Sequence, residues 1–386
     1  MEASKLNSPE LTPIDSLQLR TVRLPLVSAF ESNLGVESVK EALIMIVEKD
    51  GVRAYGECVA GNGPWYSEET IISAGYIIKK FLAPSLFANV FTSPEQFLDS
   101  TRRLRGNNLA VAAVEMALWD LMGKSKHQSL SKLLEGSKTE VEAGVSVGIQ
   151  PSIQTLVDKV TLRLAEGYRR IKIKIKPGFD LEPVREIRRR FPDIPLQVDA
   201  NSAYTLEDSP LLKQLDAFKL LLIEQPLAPN DLIDHSKLQK QLSTPICLDE
   251  SIRSMSDVRQ AIEIGACRVI NLKPGRVRGL GCSRAIHDFC LARKVPVWCG
   301  GMLETGIGRA FNVALASLPG FTLPGDISAS RLYFEKDIIK EEFELTGAGT
   351  IEVPREPGIG VHVDEEFLEL KTISKETVSK DQVQSV

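Results

Sequence analysis

The chain has 386 residues, of which 43% are hydrophobic and 25% charged, a composition typical of a globular protein with one large and one smaller domain. Its 47 Lys and Arg stand against 51 Asp and Glu, so the net charge of −4 excludes the basic excess expected of a nucleic-acid-binding protein. We expect no apolar run near the roughly 18–20 residues that span a bilayer, and no signal peptide. The sequence therefore predicts a cytoplasmic protein with no nucleic-acid or membrane partner.

Cysteine and histidine give little sign of chemistry. None of the six cysteines belongs to a C-x-x-C pair, and most lie in apolar runs, so we predict buried reduced thiols and no zinc site. Only four histidines are present, and their neighbourhoods do not resemble converging strand ends. A catalytic centre built on histidine is therefore weakly supported.

Residues 1–140 are predicted to form a small α+β capping domain. Residues 16–26 alternate in polarity as a half-buried strand does, and residues 41–59 indicate two strands joined at Asp50-Gly51, a hairpin turn signal. Residues 68–136 show apolar positions at helical spacing.

From residue 141 onward, short β-branched runs alternate with helix-sized stretches. Eight βα units in roughly 190 residues favour an α/β fold with a (β/α)8, TIM-like barrel over residues 141–335. A doubly wound open sheet is the alternative, but no Gly-x-Gly-x-x-Gly follows any strand. Residues 336–386 are expected to pack back on the capping domain and to end in a polar tail. The predicted strands are 141–148, 169–175, 196–201, 221–226, 245–250, 268–274, 295–301 and 321–326.

Five charged residues recur with the period of these units. Lys174, Asp199, Glu224, Asp249 and Lys273 are separated by 25, 25, 25 and 24 residues, and each lies at or near the end of a predicted strand. In a parallel barrel the carboxyl ends of the strands share one face, where active sites lie. The spacing therefore predicts a ring of two lysines and three acids around one mouth.

This ring suits one kind of chemistry. Three gathered carboxylates would repel one another, and all-oxygen ligands favour a hard divalent cation, Mg²⁺ or Mn²⁺, with open positions for a substrate carboxylate. A lysine can remove a proton only when its pKa is lowered, and Lys172, on the same strand face as Lys174, is expected to help lower it. We therefore predict removal of a proton α to a carboxylate through an enediolate. Enzymes that combine a lysine base with Mg²⁺ are known to use this chemistry.

The sequence resembles the muconate-lactonizing-enzyme subgroup of the enolase superfamily. Within this subgroup it is most similar to the o-succinylbenzoate synthase and N-acylamino acid racemase branch. The resemblance covers nearly the whole chain. It is carried by the segments YSEET, RLRGNNLAVAAVEMALWDL, GYRRIKIKIKPGFD, LQVDANSAYTL, LIEQPL, PICLDES, INLKPGRV, PVWCGGMLETGIGRA and LPGDISAS.

The resemblance implies a role for individual residues. Lys174 and Lys273 would be opposed acid/base lysines, with Lys172 tuning Lys174, and a homo-oligomer is expected. The implied metal ligands are Asp199, Glu224 and Asp249; the implied neighbours of the metal and the lysines are Asn201, Glu250 and Arg276, the last associated with racemase competence; the implied substrate-binding residues are Ser146, Gly301, Met302, Phe30 and Leu34.

Two departures from the family pattern stand out. Leu34 replaces an aromatic residue in the loop expected to close over the substrate, which affects side-chain specificity. Arg278 replaces the first glycine expected after the second lysine, and is expected either to alter that turn or to add a surface charge.

The sequence leaves the outcome of the reaction open. In syn dehydration, as in o-succinylbenzoate synthase of the menaquinone pathway, Lys174 would remove the proton and Lys273 would stabilise the enediolate by a cation–π contact. In racemisation of N-acylamino acids, such as N-succinylamino acids, the two lysines would act on opposite faces. Dipeptide epimerase and muconate cycloisomerase are the alternatives within the superfamily. A phosphate-binding barrel using Cys299-Gly300-Gly301 and a non-catalytic barrel are the alternatives outside it.

Overall fold

The computed structural model describes residues 9–382. The strands are β1 Ser16–Ser32, β2 Gly35–Lys49, β3 Val52–Cys58, β4 Glu140–Glu142, β5 Gly144–Val147, β6 Arg170–Lys174, β7 Leu196–Asp199, β8 Ile223–Glu224, β9 Ile246–Leu248, β10 Val269–Leu272, β11 Val297–Cys299, β12 Thr350–Glu352 and β13 Thr372–Val378. The α-helices are α1 Ile71–Ile77, α2 Ala83–Ala88, α3 Pro94–Ser100, α4 Asn108–Ser125, α5 Leu130–Leu133, α6 Ile153–Ala165, α7 Leu181–Arg190, α8 Ser209–Leu212, α9 Leu232–Gln239, α10 Met255–Glu263, α11 Leu280–Ala292, α12 Gly306–Ala316 and α13 Glu365–Lys371.

The cap is a four-stranded antiparallel sheet in the order β13-β1-β2-β3, with helices packed on it. The predicted hairpin at Asp50-Gly51 is confirmed: β2 and β3 pair across it, and both turn residues have positive φ, at 51° and 77°. Helix α4 packs directly against β3 at Gly56. A Cβ at this position would collide with the backbone of Ala113, so the close approach depends on glycine. The chain's C-terminal strand β13 pairs with β1, so both ends of the described chain contribute to this sheet.

The second sheet consists of seven parallel strands in sequential order from β5 to β11, with helices between them. The α/β barrel fold with a separate cap is thus confirmed, but the eighth predicted strand, 321–326, is not a regular strand. Its Phe321 and Gly325 form only isolated bridges, to Val297 and Ala143. Pro324 has no backbone N–H to give to a ladder, so this segment closes the barrel without extended pairing. The boundaries at residues 140 and 335 stay predictions.

The cap is fixed to the barrel by two buried acids, which we call the junction acids: Glu57 on β3 and Glu115 on α4. Glu115 accepts hydrogen bonds from the first two backbone N–H groups of α11, those of Leu280 (2.9 Å) and Gly281 (2.8 Å). Glu57 accepts in the same way from Gly308 N in the first turn of α12 (2.8 Å). Free N–H groups at a helix start attract negative charge, so each acid pins one barrel helix to the cap.

One helical stretch within the described chain, Ile71–Ala88, is long and apolar enough to cross a membrane by length and composition alone. The expectation that no apolar run approaches that length is therefore wrong here. In the structure 44% of the stretch is buried, and Ile78, Leu82 and Leu86 lie in the core of the cap.

Candidate active site

A cavity of about 530 Å³ lies at the mouth of the barrel, beneath the β1–β2 hairpin of the cap. All five residues of the predicted ring stand at this face. Lys174, Asp199 and Glu224 are the last residues of β6, β7 and β8, and Asp249 and Lys273 directly follow β9 and β10. Each is at most 8% exposed.

The order of the strands decides which ring members face one another. Strands β7, β8 and β9 lie between β6 and β10, so Lys174 and Lys273 are four positions apart in a barrel that closes with eight. The two lysines therefore come from opposite walls, and the three acids occupy the wall between them. We call Asp199, Glu224 and Asp249 the mouth acids.

Every mouth acid contacts a lysine. Lys174 Nζ lies 2.6 Å from Asp199 Oδ2, and Lys273 Nζ lies 2.9 Å from Asp249 Oδ2. Lys172 Nζ stands between two acids, 2.9 Å from Glu224 Oε2 and 3.3 Å from Asp199 Oδ2. The negative charge gathered at the mouth is thus opposed by the ammonium groups of three buried lysines.

This charge arrangement shifts several pKa values. Burial raises the pKa of Glu224 to about 7, with the charge of Asp199 adding to the rise. Burial alone would lower the pKa of Lys172, but Asp326, Glu224 and Asp199 outweigh it and hold that pKa well above its ordinary value. For Asp199 the two effects have the opposite signs. Burial would raise its pKa, but the charges of Lys174 and Lys172 outweigh burial and lower it.

The residues expected beside the lysines form a second layer of contacts. Asn201 accepts from Lys174 Nζ (2.7 Å) and donates to Glu250 Oε1 (2.9 Å). The other oxygen of Glu250 has no hydrogen-bond partner among residues 9–382, and burial, with Asp249 and Asp199, raises its pKa to about 8. Arg276 donates to Asp249 and to the backbone of Ile252 and Asn271.

The five residues expected to bind substrate all line the cavity. Ser146 on β5 has a buried hydroxyl without a partner in the described chain, and Met302 Sδ is 3.5 Å from Lys273 Nζ. The ring of Phe30 is centred 5.9 Å from Lys174 Nζ, and Leu34, in the turn between β1 and β2, is 38% exposed. A Cβ at Gly301 would collide with Asp326 O, so a larger residue does not fit there.

Arg278 both bends the turn after β10 and binds the cap. Its φ is +78°, a region that glycine adopts more readily than arginine. Its guanidinium donates to Thr101 O at 2.6 Å, so the side chain lies against the cap rather than as a free surface charge.

The donor chemistry at the mouth fits a hard divalent cation. Three buried carboxylates on adjacent strands supply only oxygen ligands, and Glu250 brings a buried oxygen that lacks a partner. As the side chains of residues 9–382 stand, however, no group of three His, Cys, Asp or Glu residues is arranged to hold a metal ion. Lys172 instead contacts two of the mouth acids at once.

Sequence reasoning missed three participants. Tyr66, from the cap loop after β3, places its hydroxyl 2.7 Å from Arg276 Nη1, 3.1 Å from Lys273 Nζ and 3.2 Å from Asp249 Oδ2. Asp326 pairs with Lys172 at 2.5 Å, and Asn271 donates to Glu224 Oε1 at 2.7 Å. Asn271 gave a usable signal, a polar residue inside the apolar strand VINL. Tyr66 begins the segment YSEET, which carries part of the family resemblance, but the strand periodicity did not link it to the barrel.

Comparison with known proteins agrees with this geometry. Residues 155–367 match the family described as enolase C-terminal domain-like, and residues 17–135 match the N-terminal domain of mandelate racemase / muconate lactonizing enzyme. The chain belongs to the enolase superfamily. Members of this superfamily use a divalent metal ion, typically Mg²⁺.

Individual relatives cover almost the full chain. An o-succinylbenzoate synthase of Geobacillus stearothermophilus is 50% identical over 93% of this chain and 96% of its own length. An N-succinylamino acid racemase of Thermus thermophilus is 44% identical over 93% of this chain and 97% of its own. The crystal structure of an enolase-superfamily member from Listeria innocua superposes with a TM-score of 0.92 at 43% identity, covering 95% of this chain and 99% of that one.

Proposed function

We propose that this protein removes a proton α to a substrate carboxylate and acts as an N-succinylamino acid racemase, an o-succinylbenzoate synthase, or both. The two named activities are those of the relatives with 44% and 50% identity. The proposal depends on one observation: Lys174 and Lys273 reach the cavity from opposite walls, with three carboxylates between them.

In this proposal Asp199, Glu224 and Asp249 hold Mg²⁺ or another divalent cation. When bound, the cation supplies positive charge that stabilises the negative charge developing on the substrate carboxylate. The substrate is a small carboxylate. A cytoplasmic location and a homo-oligomeric assembly stay predictions from the sequence.

The two lysines account for both outcomes. In racemisation, one lysine takes the α-proton on its Nζ, and the other delivers a proton from its own Nζ to the opposite face of the same carbon. In syn dehydration, the lysine that takes the proton returns it to the departing hydroxyl on the same face, and water leaves. The family resemblance associates Arg276 with racemase competence and does not exclude dehydration; in the structure this arginine contacts Asp249.

The contacts of Asp326 argue against a dipeptide epimerase. Such an enzyme needs acids near the eighth barrel position to hold the free amino group of its substrate. The one acid there, Asp326, is already paired with Arg170 at 2.8 Å and with Lys172 at 2.5 Å, and both partners are buried.

The proposal is tested by incubating the Mg²⁺-loaded protein with an N-succinylamino acid in deuterated buffer. We expect deuterium at the α-carbon, measured by NMR on each pure enantiomer. Lys174→Ala and Lys273→Ala should each lose at least about 1,000-fold of the exchange of the enantiomer whose proton the replaced lysine removes, and both should lose racemisation. Dehydration of the o-succinylbenzoate synthase substrate is measured on the same samples.

Lys49→Gln is the matched control, because Lys49 lies on β2 far from the cavity and bonds Pro13 O at 3.1 Å. It should keep full exchange. Absence of both exchange and dehydration in the wild-type protein would reject the proposed function.

A further inference from the structure

Four lysines line the cavity, and one of them differs from the others in its charge environment. Lys172, Lys174 and Lys273 each have a carboxylate oxygen within 2.9 Å. Lys40, on β2 of the cap, forms no ion pair within 4.0 Å with any residue of the described range 9–382. It is nevertheless 4% exposed. A buried ammonium without a counter-ion is unusual, because burying a charge is costly unless the charge is paired.

The ammonium of Lys40 is also incompletely hydrogen-bonded. Its one hydrogen bond within residues 9–382 is to Met302 O, at 2.9 Å, although an ammonium group has three N–H donors. Met302 belongs to the loop that follows β11, so Lys40 reaches from the cap to the mouth of the barrel. The other two N–H donors of this ammonium group belong to Lys40, which lines the cavity.

Glu57, whose charge interacts with that of Lys40, and Glu304, two residues after Met302, are hydrogen-bonded to other groups. Glu57 accepts from Thr305 N (3.1 Å), Thr305 Oγ1 (2.6 Å) and Gly308 N (2.8 Å). Glu304 Oε1 accepts from Met302 N (2.8 Å) and Asn312 Nδ2 (2.9 Å). Burial raises the pKa of Glu57 to about 7, and the charge of Lys40 only partly opposes that rise. Lys40 thus interacts with Glu57 without being neutralised by direct contact.

Met302 relates Lys40 to the reacting centre. Its carbonyl oxygen accepts from Lys40, and its sulfur lies 3.5 Å from Lys273 Nζ. The two ammonium groups therefore contact the same residue, one at its backbone and the other at the end of its side chain. A substrate whose reacting carbon lies beside Lys273 would bring a second anionic group, several bonds away, toward Lys40.

We propose that Lys40 binds the second carboxylate of a dicarboxylic substrate, such as the terminal carboxylate of an N-succinyl group. The assignment rests on the proposed function and names the part of the substrate that the cap recognises. Lys40 acts here in binding and takes no part in proton transfer. A charge-assisted hydrogen bond in a buried site favours an anionic tail over a neutral one of the same shape.

The test compares two substrates that differ only at the tail. One is an N-succinylamino acid, and the other is the matching N-succinamoyl compound, in which a carboxamide replaces the terminal carboxylate. For the wild type we expect kcat/KM for α-deuterium exchange to favour the carboxylate by roughly 10- to 100-fold. Lys40→Gln should reduce this preference to about threefold or less, mainly through KM, and Lys40→Arg should restore much of it.

Binding is measured beside turnover, so that the two proposals are tested separately. Isothermal titration of N-succinylglycine into the Mg²⁺-loaded wild type, Lys40→Gln and Lys49→Gln should show a weaker Kd in the Lys40 variant only. Circular dichroism of each variant checks that it is folded, and Lys40→Arg tests the charge should Lys40→Gln not fold.

The outcomes separate cleanly. Equal losses on both substrates would mean that Lys40 only positions the Met302 loop, and would overturn the assignment, as would a wild type without preference for the carboxylate. No exchange with either substrate, together with no dehydration of the synthase substrate, rejects the proposed function, and the titration then decides the role of Lys40 independently.

Discussion

The junction acids and the mouth acids are both buried carboxylates, but their partners differ in kind. Glu57 and Glu115 accept hydrogen bonds from backbone N–H groups at the start of helices, and each also accepts from one neutral side chain, but neither contacts a lysine of the described chain. Each mouth acid contacts at least one lysine ammonium group, beside other donors. Backbone donors cannot leave without unfolding a helix, whereas a lysine can be displaced by another cation.

The difference shows how a fold separates stability from chemistry. The junction acids, which help to join the cap to the barrel, have no cationic partner in direct contact among residues 9–382. The mouth acids have lysine partners that a metal ion could replace. Burial raises the pKa of both Glu115 and Glu224 to about 7, so the pKa values alone do not distinguish the two sets. The kind of donor does.

The largest expected effect comes from removing one mouth acid. Asp249→Asn keeps the size of the side chain but removes the charge that attracts a divalent cation. We expect α-deuterium exchange to fall by at least about 1,000-fold, and the increase in Tm on adding Mg²⁺ to disappear. Exchange is measured by NMR, and the Mg²⁺-dependent Tm by calorimetry.

Glu115→Gln is the control for that experiment, because it neutralises a junction acid of similar burial. It should keep both the Mg²⁺-dependent rise in Tm and the exchange activity. An unchanged response to Mg²⁺ in Asp249→Asn would contradict the assignment of the mouth acids as ligands.

The position of the mouth acids could be predicted from the sequence because parallel strands convert a regular spacing into a ring. The βα period and the polarity of the strand ends were enough to predict the ring of Lys174, Asp199, Glu224, Asp249 and Lys273. No contact between distant segments had to be known. The family resemblance implied the positions of Asn201 and Glu250, which follow a ring member by two residues and by one residue.

Residues outside this periodicity could not be found in the same way. Tyr66 and Lys40 come from the cap, and their place at the mouth depends on how the two sheets are docked. The eighth strand was expected from period alone, but Pro324 limits its pairing. Lys172 was considered only as a neighbour of Lys174, yet the curvature of the barrel also brings it to Glu224 and Asp326.

A second prediction concerns the pH dependence of stability at the junction. Burial raises the pKa of Glu115 from 4.5 to about 7 in the folded protein. The unfolded chain therefore releases this proton first as pH rises, and the free energy of unfolding falls between pH 4.5 and about 7. Glu115→Gln resembles the protonated acid and lacks this titration.

The measurement is urea unfolding of wild type and Glu115→Gln across that range, followed by tryptophan fluorescence, since Trp119 donates to Glu115 at 2.7 Å. The stability of the wild type relative to the variant should fall by on the order of 3 kcal/mol as pH rises. A difference that is constant with pH would show that the three N–H donors keep this carboxylate ionised throughout.

The smallest effect is expected at Tyr66, a cap residue that contacts one of the mouth acids and its lysine partner. Its hydroxyl contacts Lys273, Arg276 and Asp249 and has no hydrogen bond to Lys174 within the described chain. Tyr66→Phe keeps the ring, centred 4.7 Å from Lys273 Nζ, but removes one hydrogen bond to that lysine, worth about 1 kcal/mol.

Because each lysine serves one face of the substrate, the loss should be one-sided. Exchange should fall about 5- to 10-fold for the enantiomer whose proton Lys273 removes, and less than about twofold for the other. Both rates are measured from the first turnover of each pure enantiomer in deuterated buffer. Equal losses for the two enantiomers would place Tyr66 with the junction acids, as a residue that holds the cap in place rather than one that orients a single lysine.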